Sequence, residues 1–486
     1  RDARSLLYAQ LKKGLAPNPS RNHMNGLGGP GEDALIALAL IQSGVPASDP
    51  LLRKAWRRIL GRGADQVYTA SVELLYVEGM LHPPTAAIPW ERADPKTQVP
   101  FPKDPDELDE ILSWARRRAE WLQSVCQGGC WGYGDERAPA MRPCGTDAEP
   151  LRIVPPGLLG RVPMGGSATP SPDCWHDYSN TQYACLGLRA AALCGVRVRD
   201  ESWLWRRVAQ NLLLGQDPLG GELELSGELQ DRRLLGTERD YTVEETGTPV
   251  STPSFKVKAR TRGWGYKMPG YRYDRTQRRQ TELLASQLEK LDKTITQQPG
   301  RAEEARAAQR KSLMEQLARM TGVFGSQWAC DMPDTEGSAS ALTGTWSMTA
   351  GGITGLVLAE ASVGDLSTEE RKAIHEGLRD ALAWFQAKWT FKGIASGKLK
   401  SADGYSFYAL ERVGVLAGLK LLGEHGWYCE GAEALLAAQS EDGSWSPVCG
   451  GYTTEANTAF CLLFLSHATS ERFAGYEIGE VESQRP

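Results

Sequence analysis

Six stretches of this chain are rich in Ala, Leu and Val and carry too few charges to leave any face polar: 31–45, 66–80, 179–196, 347–364, 404–423 and 454–468. A helix that is apolar all round belongs in an interior. None of the six approaches the roughly 20 consecutive apolar residues that span a bilayer, so the interior in question is the protein's own. Most have an amphipathic stretch in front of them, at 49–60, 106–125, 201–216 and 367–389, where apolar residues recur every three or four positions and charges fill the rest. The turn between the two helices often carries Gly and Trp, as in "GGCWGYG" (128–134), "RGWGYKMPG" (262–270) and "DGSWSP" (442–447). About six such pairs predict a closed double ring, with amphipathic helices outside and apolar helices forming the inner wall.

With 486 residues the chain has ample length for such a core. Its 41% hydrophobic and 24% charged residues are those of a globular protein. A net charge of −5 argues against nucleic acid and against anionic membrane surfaces as partners. Two long segments interrupt the pairing. The first, 131–176, is a Gly/Pro-rich excursion; the second, 217–346, is mixed, with short strands expected in "ELELSGELQDRRLLGTERDYTVEE". Within it, 276–320 reads as a projecting helical hairpin: Leu284, Leu288, Leu291 and Ile295 share one face, Leu313 and Leu317 another, and Pro299-Gly300 makes the turn. The ring is thus assembled from 1–130, the central pair 177–216 and 347–474, followed by a tail, 475–486.

The segment "LLAAQSEDGSW" (435–445) resembles the Gln-Trp repeat of squalene and oxidosqualene cyclases, and "LQSVCQGGCWGYG" (122–134) is a degenerate copy. The whole pattern is similar to the α/α toroids of terpenoid cyclases and protein prenyltransferases. The resemblance implies an all-α fold, an (α/α)6 toroid of alternating outer and inner helices, in which Gln and Trp tie an outer helix to its neighbour and Gly permits the turn. The catalytic sets of these families do not carry over. The acid motif Asp-x-Asp-Asp has only "DPDE" (Asp104 to Glu107) as a counterpart, placed before an outer helix and without the last Asp. The prenyltransferase zinc set would place a Cys at Tyr405, two residues after Asp403, and a His on the next inner helix, where Thr453, Thr454 and Glu455 stand. Neither metal nor cofactor is expected. The thioester string Cys-Gly-Glu-Gln of complement-type toroids is also absent.

In such a ring the N-termini of the inner helices gather at one mouth, where His176, Asn180, Tyr183, Tyr405, Tyr408 and Asn457 would meet a ligand. Free N–H groups there attract anions, and the same positions favour ordinary capping residues. The carboxylates Asp177, Asp403, Glu411 and Glu455 are candidates for a catalytic pair acting on a glycan. For Glu411, a buried ion pair with Arg412 is the competing role. Of ten cysteines, Cys185, Cys194 and Cys461 fall in apolar runs and read as core residues. Cys126, Cys130, Cys144, Cys174, Cys429 and Cys449 sit in or beside loops. Disulfides or free thiols are favoured there over zinc, and disulfides would place the protein outside the cytoplasm, in an exported or periplasmic setting; the cytoplasm is the alternative. The expected function is a binding or assembly subunit, engaging a protein partner or a second copy through 276–320, with room in the ring for an apolar or glycan ligand. The alternative is an enzyme acting on an isoprenoid-like or polysaccharide substrate at the inner-helix mouth.

Overall fold

The computed structural model describes residues 2–14, 30–61, 66–84, 101–102, 104–126, 129–132, 177–216, 220–229, 242–244, 254–265, 287, 290–291, 309, 312–313, 344–391, 395–397, 400–448, 452–469 and 471–474. The chain is mostly helical. Its α-helices, numbered over the described residues, alternate in character. The odd members, α1 (Asp2–Gly14), α3 (Pro50–Leu60), α5 (Pro105–Ser124), α7 (Glu201–Gly215), α9 (Thr368–Ala387) and α11 (Trp427–Ala438), are mixed in polarity. The even members, α2 (Pro30–Gln42), α4 (Val67–Leu81), α6 (Tyr178–Leu193), α8 (Trp346–Ser362), α10 (Gly404–Leu416) and α12 (Thr454–Leu465), coincide with the six apolar runs.

Local chemistry fixes where these helices begin. Asp49 and Asp104 cap α3 and α5 by accepting from Leu51 N and Glu107 N, and each is followed by a proline whose missing N–H costs nothing in the first turn. Asp104 of the "DPDE" string is therefore a helix cap. Ser367 and Glu370 form a reciprocal capping box on α9. Burial follows the sequence periodicity. In α5 the buried side chains are Ile111, Trp114, Ala115, Arg118, Ala119 and Leu122, one stripe at three- and four-residue spacing. In α4 and α8 burial extends to almost every residue.

The even helices pack in a cycle: α2 on α4, α4 on α6, α6 on α8, α8 on α10, α10 on α12, and α12 back on α2. Of the odd helices, α1, α5, α7 and α11 pack on the even helix that follows them, whereas α3 packs chiefly on α2 and meets α4 through Tyr76, whose hydroxyl donates to Leu52 O. The amphipathic helix α1 was not singled out in the sequence, although it lies within the expected first part of the ring.

An all-α description is too narrow, because two small sheets accompany the helices. Strands β1 (Glu222–Leu229), β2 (Thr242–Glu244) and β3 (Ser254–Arg260) join β6 (Leu419–Leu422) in the antiparallel order β2-β3-β1-β6. The first three come from the 217–346 insertion, whereas β6 follows α10. Gly227 is required at their junction, since a Cβ there would lie 2.3 Å from the Leu421 carbonyl oxygen. The sheet docks on α9, with Gln386 Oε1 accepting from Ser226 N at 2.9 Å and Asp380 accepting from Arg260 N at 2.8 Å. The second sheet, order β4-β5-β7, joins β4 (Ala395–Ser396) and β5 (Ser401–Ala402) to β7 (Ser446–Pro447). Among the described residues no helix is long and apolar enough to cross a membrane. Most of the hairpin 276–320 and nearly all of the 131–176 excursion lie outside the described residues. The described members of the former, including Gln287, Leu291 and Leu313, are helical, and Leu313 is buried.

Candidate functional site

The Gln-Trp tie at 439–445 is built from four hydrogen bonds. The buried Trp445 indole donates to Leu435 O at 2.7 Å, and its backbone N–H to Thr458 Oγ1, in the first turn and a half of α12, at 3.2 Å. Gln439 Nε2 donates to Gly443 O at 3.0 Å, and Asn457 Nδ2 to Trp445 O at 2.9 Å. Gly443 holds φ +87°, a conformation that favours glycine. Trp131 repeats the device: its indole donates to Leu122 O at 2.7 Å and its N–H to Thr181 Oγ1 at 3.1 Å, with Gly129 at φ +89° two residues before it.

A third copy is hidden in the sequence. Trp264 donates from its indole to Leu212 O at 2.8 Å and from its N–H to Thr349 Oγ1 at 3.1 Å. Gln216 Nε2 donates to Arg262 O at 3.0 Å, so Gln and Trp keep the relation seen at 439–445. The segment 217–261 is inserted between them, which separates the two halves of the motif along the chain. The three ties join α5 to α6, α7 to α8 and α11 to α12, each reaching a threonine in the first turn and a half of the even helix.

The centre of the cycle is closed. Tyr68, Ser179 and Tyr405 are each the second residue of their helices, α4, α6 and α10. Ser179 Oγ lies 2.8 Å from Tyr405 Oη and hydrogen-bonds Tyr68 Oη, and the two phenols are 3.3 Å apart. Around the cycle, two even helices separate α4 from α10 on either side, so this contact crosses the middle. Tyr183 stacks against Tyr405 at 5.9 Å between centroids and lies 4.6 Å from Tyr68. Phe460 of α12 packs edge-on to Tyr405 and stacks on Tyr408. Deeper in, the fully buried Arg412 lies 4.2 Å over the Tyr408 ring and 5.5 Å from that of Tyr183. The Gln182 amide oxygen accepts from its Nε at 3.2 Å and also from its Nη2. Burial pushes the phenols of Tyr183, Tyr405 and Tyr408 above the ordinary tyrosine value, so all three are neutral near pH 7.

Of the six residues expected at the mouth, Tyr183, Tyr405 and Tyr408 meet in this cluster. Asn457 does not join them: its amide knits backbone, donating to Ala402 O at 3.0 Å and accepting from Gly404 N at 2.9 Å. Asn180 turns to Asp177, bonding Oδ2 at 3.0 Å through Nδ2 and Oδ1 at 2.6 Å through its N–H. His176 lies outside the described residues. Tyr68 escaped the sequence reading because it sits in an apolar run; its place as second residue of α4, matching Tyr405 in α10, is the signal that could have found it.

The four carboxylates belong to four separate settings. Asp177 is the buried cap of α6, its pKa raised to about 6 by burial against the opposing bonds from Asn180 and Ser179. Asp403 accepts from Ser406 Oγ at 2.6 Å. Glu455 lines an open cleft of about 730 Å³ shared with Ser5, Gln10 and Lys13 of α1 and with Glu441 and Asp442. Glu411 accepts from Thr469 N at 2.9 Å and from Thr469 Oγ1 at 2.5 Å. The expected Glu411–Arg412 ion pair is absent, because neighbouring residues on a helix point about 100° apart and Glu411 turns toward Thr469 while Arg412 faces the tyrosines. No group of three or more His, Cys, Asp or Glu side chains placed to hold a metal occurs among the described residues. Cys126 and Cys130 are buried, and Cys429 is an exposed free thiol in the first turn of α11, beside the preceding loop. Cys144, Cys174 and Cys449 are outside the described residues.

Burial raises Glu411 to about 7, against an ordinary value near 4.5. The folded state then holds a proton that the unfolded chain releases between pH 4.5 and 7, so stability falls across that window by roughly 3 kcal/mol. Glu411→Gln can keep both Thr469 contacts without ionising. It is expected to match the parent at pH 4 and to exceed it at pH 8 in urea denaturation. An unchanged pH slope in the variant would show that Glu411 does not titrate this way.

Comparisons with family models, with curated proteins and with solved structures each find no match.

Proposed function

We propose that the chain is an (α/α)6 toroid, similar to those of squalene cyclases and protein prenyltransferases, that serves as a binding or assembly subunit and carries out no chemistry in its lumen. The observation that carries this reading is the Tyr68–Ser179–Tyr405 contact across the middle of the helix cycle. A cyclase-like or prenyltransferase-like site needs open space for a substrate at that position, and here side chains from opposed helices occupy it. The engagement of three candidate carboxylates gives further support: Asp177 caps α6, Asp403 accepts from Ser406 Oγ and Glu411 accepts twice from Thr469, which are structural roles. The cyclic packing of the six apolar helices and the three Gln-Trp-type ties support the toroid.

The partner surface in this reading is the hairpin 276–320, whose Leu284, Leu288 and Leu291 face calls for cover. The occupant is a protein partner or a second copy of the chain. Deleting 278–318 and closing the gap with a short Gly-Ser linker tests it. The expected product is a folded ring with unchanged helicity that has lost its dimer or its complex in light scattering. A ring that fails to fold would make the hairpin part of its own core. A ring with the same mass in solution and the same partners as the parent would remove the assembly role.

A further inference from the structure

Arg412 is a cation sealed in the centre of the protein without a salt bridge, and the adjacent Glu411 carboxyl bears on its charge without reaching it. Its side chain has no exposed surface, and no carboxylate lies within 4 Å of it among the described residues. Its Nε and Nη2 are satisfied by Gln182, but Nη1 has no hydrogen-bond partner. The Tyr183 hydroxyl is buried and is turned to the same guanidinium, with no other hydrogen-bond partner. Tyr408 presents its ring to the guanidinium. The surrounding phenols are neutral and supply no negative charge. Glu411, next in the chain, spends both oxygens on Thr469. Guanidinium groups remain charged in proteins, and a desolvated charge with a donor not used by Gln182 gains from an anion that completes its contacts.

We propose that the centre of the helix cycle is an anion site, in which Arg412 Nη1 and the Tyr183 hydroxyl together hold a small oxyanion, a phosphate or a carboxylate. The planar guanidinium suits a ligand with two acceptor oxygens, and Tyr183 contributes a third donor from α6. A bound anion would bridge α10, which carries Arg412, to α6, which carries Gln182 and Tyr183, and so lock these two helices together. The Tyr68–Ser179–Tyr405 contact lies between this position and the helix N-termini, so exchange requires that contact to open. The site takes a ligand far smaller than an isoprenoid or a sugar chain. It stands whether or not the hairpin 276–320 docks on a partner.

The test uses the full chain, dialysed exhaustively into an anion-poor buffer and incubated overnight with inorganic phosphate or with acetate. The melting temperature is expected to climb with the logarithm of the concentration of one of them. Phosphate as the effective anion identifies a tetrahedral oxyanion site, and acetate a carboxylate site. Calorimetric titration of the effective anion should show affinity weakened by at least about tenfold in Arg412→Met, and by about tenfold in Tyr183→Phe. Tyr183→Phe removes one hydroxyl and leaves the ring in place, so it decides the matter if Arg412→Met does not fold. Absence of any response to either anion overturns the proposal. So does an equal response in the parent and in Tyr183→Phe.

Discussion

Replacing Trp264 with alanine is expected to destabilise the fold by about 3–5 kcal/mol, the usual range for removing a buried large aromatic side chain. The same loss is expected for Trp445→Ala and Trp131→Ala. All three rings are fully buried and each indole satisfies a carbonyl near the end of an odd-numbered helix. Truncation removes the ring and leaves that carbonyl without its donor. Trp264 is the informative member, since 217–261 stands between it and the helix it ties. Its ring rests on Gly352 of α8, where a Cβ would come within 2.3 Å; Gly352→Ala should therefore destabilise through the same contact. Chemical denaturation of the three alanine variants measures the comparison. A Trp264→Ala loss below about 1 kcal/mol, beside full losses at the other two positions, would mean that the third tie is not equivalent to them.

The frame of this protein was legible because burial writes itself into residue choice. A helix enclosed on all sides can carry few charges, so 347–364 announces its place with "SMTAGGITGLVLAEASVG" alone. The tie at 439–445 was legible because its parts are adjacent. The tie at Gln216 and Trp264 was not, for the physical reason that a hydrogen bond depends on position in space and is indifferent to an insertion that leaves and returns to the same point. The strands of that insertion were anticipated, but their union with β6, nearly two hundred residues later, depends on a pairing that no local pattern encodes. The candidate site was half legible. Tyr183, Tyr405 and Tyr408 were marked by their place near helix starts, and they do meet. What they enclose turned on whether Arg412 points toward Glu411's side or away from it. That is settled by helix phase and by Thr469, which lies beyond α12.

Glu73 illustrates the same point with a large expected effect. It is a lone carboxylate in the first half of an otherwise apolar helix, which by itself calls for a buried partner. Arg118 supplies it, with Nε 2.9 Å from Glu73 Oε2 and both side chains almost wholly buried. In the run Arg116-Arg117-Arg118 only the last falls on the buried stripe of α5, four residues after Trp114, over whose ring it lies at 4.7 Å. The pair thus joins the amphipathic helix α5 to the apolar helix α4. Arg118→Met keeps most of the packing and deletes the charge, leaving Glu73 without that ion pair. The expected loss is about 3–5 kcal/mol, because one half of a buried pair is costlier than either the pair or its apolar replacement. The double variant Glu73→Leu/Arg118→Met should recover most of that loss and come within about 1–2 kcal/mol of the parent, since both desolvated charges are then gone. Urea denaturation of the parent, the two single variants and the double variant closes the cycle. Additive losses, with the double variant worse than either single one, would show that these residues stabilise the helix contact independently and that the charge pairing is incidental to it.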